Sequence, residues 1–302
     1  MQAARFHRYG NPDVLVVEDA PEPHAGEYSV RIEVRATSVN PIDVLLRAGH
    51  LQQFLPLDLP AVPGRDAVGV VDEVGPGVEG TEVGDLVFGL GGISDTTAEF
   101  AVLTAWSTVP PGWSIEQAAA AGLASATAAA ALEVLGDLGG RTLLVEGATG
   151  AVGSAVAAFA LAAGATVIGT GRESNHVHLT AMGVRPTDYG PGLAERVAAL
   201  APDGVDAAVH AAPSASLPDL LEIVGDPARV VTVIDTEGAA RLGVHKVDAR
   251  NDSALLDQAS DLGRRGHYTP RVEHVLPVES IAEAHALAEG GSGKVVVTLG
   301  RS

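Results

Sequence analysis

The stretch Thr142-Leu-Leu-Val-Glu-Gly-Ala-Thr-Gly-Ala-Val-Gly-Ser154, continued by an alanine-rich run to Ala165-Thr-Val-Ile-Gly-Thr-Gly-Arg172, decides the fold. Its opening apolar run has the length and residue type of a buried strand. A glycine turn follows at Gly147, Gly150 and Gly153, then a helical segment to Ala163, with Gly164 where a helix-terminating glycine belongs. Thr166–Thr170 makes a second strand. Strand, glycine turn, helix and strand in this order form the βαβ unit that binds dinucleotides. The glycines let the backbone turn sharply and admit a pyrophosphate against bare N–H groups at the helix N-terminus. The expected contacts are Gly147, Thr149, Gly150, Ala151, Val152 and Gly153. Residues 147–171 carry no charge, yet their glycines, alanines and serine make poor lipid-facing surface, so a membrane span is rejected.

Composition narrows the function classes. Hydrophobic residues at 46% against 19% charged describe a folded core rather than a disordered chain. A net charge of −19 argues against nucleic acid as a partner, so any bound anion must be held by a local cluster of donors. There are no cysteines, which removes disulfides, thiol catalysis and cysteine-ligated zinc. The first twenty residues have no apolar signal core, and a cytoplasmic location is expected.

Outward from the glycine turn, residues 1–113 read as β-rich. Ser29–Arg35 alternates, with Val30, Ile32 and Val34 on one face, and glycines punctuate the turns. Near Pro110-Pro-Gly-Trp113 the texture changes. Ser114 is a candidate N-cap for a helix running to Leu135. Helices and strands then alternate to residue 265, which implies a mostly parallel, doubly wound sheet. Residues 266–302 return to the first texture. The expected organisation is an α/β protein: a β-rich domain, 1–113 and 266–302, interrupted by a dinucleotide-binding domain, 114–265.

Several local signatures join this order. They are Val39-Asn-Pro-Ile-Asp43 with Arg47, Pro63-Gly-Arg-Asp66-Ala-Val-Gly69, Gly84-Asp-Leu-Val-Phe-Gly89, Asp188-Tyr189, Glu283-Ala-His285 and Gly293-Lys-Val-Val. Together they resemble the medium-chain dehydrogenase/reductase superfamily, in its zinc-free quinone oxidoreductase branch. The resemblance covers essentially the whole chain. It implies a GroES-like barrel domain with an inserted Rossmann domain, and a homodimer formed by edge-to-edge pairing of the insert's last strand, near 243–247. It also places Asn40 and Asp43 at the lip of the cleft and Thr127 by the ribose or nicotinamide. Tyr189 would lie near the adenosine phosphate and Lys294 near the cofactor cleft. Asn40 has a second reading as a loop-stabilising Asx turn, Lys294 one as a strand-end surface charge. Asp66 and Asp85 are read as turn caps. Gly64-Arg65-Asp66 stands where zinc-dependent members carry a glycine-histidine-glutamate step, so no metal is expected. Leu45 and Leu51 replace tyrosines common beside the cleft, and Gly122 replaces a common proline.

The reaction implied is reduction by NADPH of a quinone or an α,β-unsaturated carbonyl compound, a small apolar substrate. Asn40, Asp43 and His50 are candidate catalytic residues with no general acid assigned. A redox-neutral lyase, cyclase or isomerase, or a non-catalytic NADPH-binding protein, would carry the same glycine turn. The preference for NADPH is read from residues. An NAD site places an acid at the end of the second strand, whereas Gly171-Arg172 stands there, with Tyr189 as a further hydroxyl and Glu173 as the opposing feature.

Overall fold

A strand β1 (Gln2–Phe6) opens the fold, paired antiparallel with β2 (Leu15–Asp19). The alternation around Ser29–Arg35 falls in the long strand β3 (Val30–Val39), whose inward side chains Val30, Ile32 and Val34 are buried. The structure is a computed structural model that describes residues 1–300. Helix α1 (Pro41–Ala48) follows β3, with proline at its first position and Gly49 in the left-handed region at its end. Next come β4 (Asp66–Val74), β5 (Leu86–Leu90), β6 (Phe100–Leu103) and β7 (Ala105–Thr108), then α2 (Ile115–Leu135). Ser114 caps α2 as expected: Ser114 Oγ accepts the Gln117 N–H and Gln117 Oε1 accepts the Ser114 N–H. This helix is long and apolar enough to cross a membrane, but most of it is buried within the fold, as suits the core helix of a globular protein.

The βαβ unit is β8 (Thr142–Glu146), α3 (Ala151–Ala162) and β9 (Thr166–Thr170). It continues through α4 (His176–Ala181), β10 (Arg185–Thr187), α5 (Leu193–Leu200), β11 (Ala207–His210), α6 (Leu217–Val224), β12 (Val230–Thr232), α7 (Thr236–Leu242) and β13 (His245–Lys246). These strands form one six-stranded sheet in the order β10-β9-β8-β11-β12-β13, parallel at every pairing. The order reverses between β8 and β11. That is the doubly wound arrangement expected from the alternation. Leu144, Ile168, Ala208 and Val230 of neighbouring strands share one core with Leu193, Val197, Leu217 and Leu220 of the helices.

The chain ends with α8 (Ser253–Arg264), β14 (His274–Pro277), α9 (Ile281–Glu289) and β15 (Val295–Thr298). β15 inserts between β14 and β3, giving a second sheet ordered β14-β15-β3-β4-β5-β7, with β6 also on β3. The C-terminal return is therefore structural, placing Val295 and Val297 in the core beside Phe6, Val39 and Val44.

Two compact units result. One comprises Met1–Leu123, Asn251–Arg264 and the chain from Thr269 onward; the other comprises Ala124–Arg250 and Arg265–Tyr268. These boundaries differ from 113/114 and 265/266 for a physical reason. The first half of α2 packs on β4, where the Leu123 N–H donates to Asp66, and α8 packs on β7 through Ser107–Asp257 and Ser260–Thr108 hydrogen bonds.

Candidate functional site

The glycine turn is packed through two close approaches, one to the loop after β11 and one within the turn. Gly147 has φ +81°, and a Cβ there would lie 2.7 Å from the Ala212 Cβ. A Cβ on Gly153 would lie 2.1 Å from the Gly147 carbonyl oxygen, so the first turn of α3 packs directly on the loop. Gly150 differs. It is the N-cap of α3 with an extended backbone, φ −75°, and a Cβ on it would meet only the Gly147 oxygen at 3.4 Å. Its outward side is open. The N–H groups of Ala151, Val152 and Gly153 find no acceptor among the described residues, and the first turn of α3 holds no acid. Bare donors at the positive end of a twelve-residue helix, with an open space above them, fit a pyrophosphate. Thr170 supports the turn from β9: its hydroxyl accepts the Gly147 N–H at 3.0 Å and its carbonyl accepts the Ala148 N–H.

Beyond β9, Gly171 is buried and close-packed, a Cβ there lying 3.0 Å from the Thr149 Cγ2. Arg172 is exposed and its guanidinium has no acceptor among the described residues. Glu173 is exposed beside it, and Tyr189 is 53% exposed. His176 Nε2 lies 3.4 Å from Asp188 Oδ1. Thr127 is buried on α2.

In the first unit, residues distant in sequence meet in a buried polar network. Lys294 Nζ donates to Asn40 Oδ1 at 2.7 Å and lies 4.0 Å from Asp66 Oδ2. Asp66 accepts from Ser38 Oγ at 2.5 Å, from Asn40 Nδ2 at 3.0 Å and from the Leu123 N–H at 2.9 Å. Asp43 Oδ2 accepts the Asn40 N–H at 2.7 Å, while its Oδ1 has no hydrogen-bond partner among the described residues. Two carboxylates face one ammonium. Burial, and then the Asp66 charge, push the Asp43 carboxyl up to about 7. Burial lowers the Lys294 ammonium against the opposing pull of Asp66, Asp43 and Glu273.

Asp66 is not a turn cap: it begins β4 and is the hub of this network. Gly122 makes that possible, since a Cβ there would lie 2.7 Å from the Asp66 Cβ. The Asn40 side chain bonds both Lys294 and Asp66, and Lys294 is buried rather than a surface charge. Asp85 does cap a turn, accepting the Glu82 N–H. His50 is exposed just past α1, and no structural contact ties it to the network. A second buried cluster, Glu146, His210 and Thr232 at the ends of β8, β11 and β12, escaped the reading of the sequence. Its signal was present: a charged or polar residue closes each otherwise apolar strand.

Among the described residues, no group of three His, Cys, Asp or Glu side chains is gathered so as to hold a metal ion. Residues 26–111 match the family described as alcohol dehydrogenase GroES-like domain, and residues 184–297 that described as zinc-binding dehydrogenase. A quinone oxidoreductase of Sus scrofa is 30% identical, covering 99% of this chain and 98% of its own. A 2-methylene-furan-3-one reductase of Solanum lycopersicum is 37% identical over a stretch covering 52% of this chain and 43% of its own. The solved quinone oxidoreductase of Coxiella burnetii superposes with a TM-score of 0.84 at 25% identity, covering 99% of each chain. With the parallel sheet, the glycine turn and the C-terminal return already in place, the chain belongs to the quinone oxidoreductases of the medium-chain dehydrogenase/reductase superfamily, a family of nicotinamide-dependent oxidoreductases.

Proposed function

We propose that the protein is a zinc-independent, NADPH-dependent reductase of quinones or of the C=C bond of α,β-unsaturated carbonyl compounds. The observation that carries the cofactor reading is Arg172, an exposed and unengaged guanidinium at the end of β9, where an NAD site would present an acid. Bound at the glycine turn, the nicotinamide supplies the hydride. The protein's part is to bind and orient. Ala151, Val152 and Gly153 offer N–H groups to the pyrophosphate, and Arg172 offers a planar fork to the 2′-phosphate. The substrate class rests on the two relatives named for quinone and methylene-furanone reduction. It is supported by the apolar side chains at and beyond α1, Leu45, Phe54 and Leu55, which are exposed. Stoichiometric NADPH oxidation on adding 1,4-benzoquinone or a simple enone tests it. Tight NADPH binding with no oxidation by any acceptor would turn the reading to a redox-neutral or non-catalytic role.

Arg172→Ala is expected to weaken NADPH binding at least about tenfold and leave NADH nearly unchanged, as loss of one charge-assisted contact requires. Titration calorimetry with both nucleotides measures this, and equal losses would refute the assignment. The reading of zinc independence is supported by the lack of cysteine and by Asp66, whose oxygens already take three donors beside the Lys294 cation. Chelator-washed protein should retain its activity, and elemental analysis should find no stoichiometric zinc.

A homodimer is part of the same proposal. β13 ends the six-stranded sheet, and its outer edge offers unpaired backbone groups that proteins usually cover. Light scattering at micromolar concentration should give twice the chain mass; a monomer would remove this part.

A further inference from the structure

The cluster at the reversal point of the parallel sheet has a fixed polarity. Thr232 Oγ1 accepts two backbone N–H groups, from Ile234 at 3.3 Å and Asp235 at 3.1 Å. Both of its lone pairs are then used, so its proton must go to His210 Nδ1, 3.0 Å away. The imidazole is thus the Nε2–H tautomer, and Nε2 donates to Ser214 Oγ at 3.2 Å. Ser214 in turn donates to Glu146 Oε1 at 2.9 Å. Hydrogen bonds run one way, from Thr232 through His210 and Ser214 to Glu146. Burial lowers the His210 pKa against the charges of Glu146 and Asp235, which agrees with a neutral ring.

Glu146 and His210 are buried strand ends, whereas Ser214 lies on the exposed loop joining β11 to α6. In an open parallel sheet, ligands bind beyond the C-terminal strand ends where the order reverses, here between β8 and β11. The loops leaving those two strands are the glycine turn and residues 211–216. They touch: a Cβ on Gly147 would lie 2.7 Å from the Ala212 Cβ, and the Ala211 N–H donates to the Glu146 carbonyl. Loop 211–216 is therefore the second wall of the crevice. The Ser214 hydroxyl joins the loop to Glu146, the residue immediately before the turn, and Ser216 Oγ lies 2.7 Å from the same hydroxyl.

We propose that Ser214 is a positioning residue for the bound dinucleotide, its hydroxyl latching loop 211–216 to Glu146 and His210 so that the crevice is shaped before the cofactor arrives. The proposal rests on the glycine turn being the dinucleotide site. Ser214→Ala removes the side-chain tether of the loop, leaving the Ala211 N–H bond, and leaves Glu146 without its hydroxyl donor. In full-length protein, NADPH should then dissociate about tenfold more readily, the scale of a lost hydrogen bond to a charged group. Ser214→Thr, which restores a hydroxyl, should return most of the affinity. Calorimetric Kd values and melting curves for the wild type and both variants test this. A Kd for Ser214→Ala within about twofold of wild type overturns the latch, whether or not melting falls, because a lost hydrogen bond without a loss of binding is structural only. So does a loss that threonine fails to restore. Gly150→Val, measured alongside, separates the two readings. If it still binds NADPH, the dinucleotide site itself is wrongly placed; if it loses binding while Ser214→Ala does not, only the latch fails.

Discussion

Gly150→Val is expected to lose nicotinamide dinucleotide binding by about 100-fold or more while keeping a wild-type circular dichroism spectrum and melting temperature. The size follows from at least two charge-assisted hydrogen bonds, each worth about 1.5–3 kcal/mol, that a pyrophosphate could no longer make. The selectivity follows from local geometry. At Gly150 the backbone is extended, as valine prefers, and a Cβ meets nothing closer than 3.4 Å. The added methyl groups would project over the bare N–H groups of α3. Gly153→Val should behave differently, because its Cβ would enter the Gly147 carbonyl at 2.1 Å. That variant should be destabilised as a fold, not merely unable to bind. Unchanged affinity in Gly150→Val would show that the turn serves packing alone.

Lys294→Met should destabilise the protein by about 3–5 kcal/mol at neutral pH, the usual cost of stranding a buried charge partner. It removes the ammonium that Asp66 and Asp43 face and takes the Lys294 donor from Asn40 Oδ1. The cost should shrink on acidification, as the stranded Asp43 carboxylate takes up a proton. In the wild type the same network sets a slope. The unfolded Asp43 carboxyl releases its proton near 3.8, and the folded one keeps it to about 7. Between these values the folded state binds the extra proton, so stability falls as pH rises through that window and levels off above it. Asp43→Asn still accepts the Asn40 N–H and has nothing to ionise. It should flatten this slope and be the more stable protein at pH 8, by at most about 4 kcal/mol for a shift of roughly three units. Urea unfolding of both variants at pH 5 and pH 8 checks both signs.

What the sequence disclosed depended on distance along the chain. The βαβ unit was legible because its strands, turn and helix are local and their periods change within thirty or so residues. Asp66 was misread as a turn cap because its partners, Ser38, Asn40, Leu123 and Lys294, are brought to it only by the sheet. Helix α1 was passed over for a related reason. Asn40-Pro-Ile-Asp43 drew attention as chemistry, yet proline at the first helical position and Asp43 on the Asn40 N–H are also a helix start. The short strands β10 and β13 are set by their neighbours in the sheet rather than by any pattern of their own.

The insertion of β15 between β14 and β3 has a consequence for how the chain is made. Ala36–Val39 pairs with Val295–Thr298, so the second half of β3 has one edge open until the last strand is synthesised. The unit holding the glycine turn has nearly all its residues by Arg250 and can close on the ribosome without waiting. The first unit cannot. Its nascent form holds a β-branched strand with an unpaired edge, the type of surface that recruits another chain, and its final contacts are the most distant in sequence and so among the slowest to form. Nascent-chain aggregation and chaperone demand should therefore concentrate on the N-terminal strands, although the unit with the glycine turn is the one inserted between them and the C-terminal return.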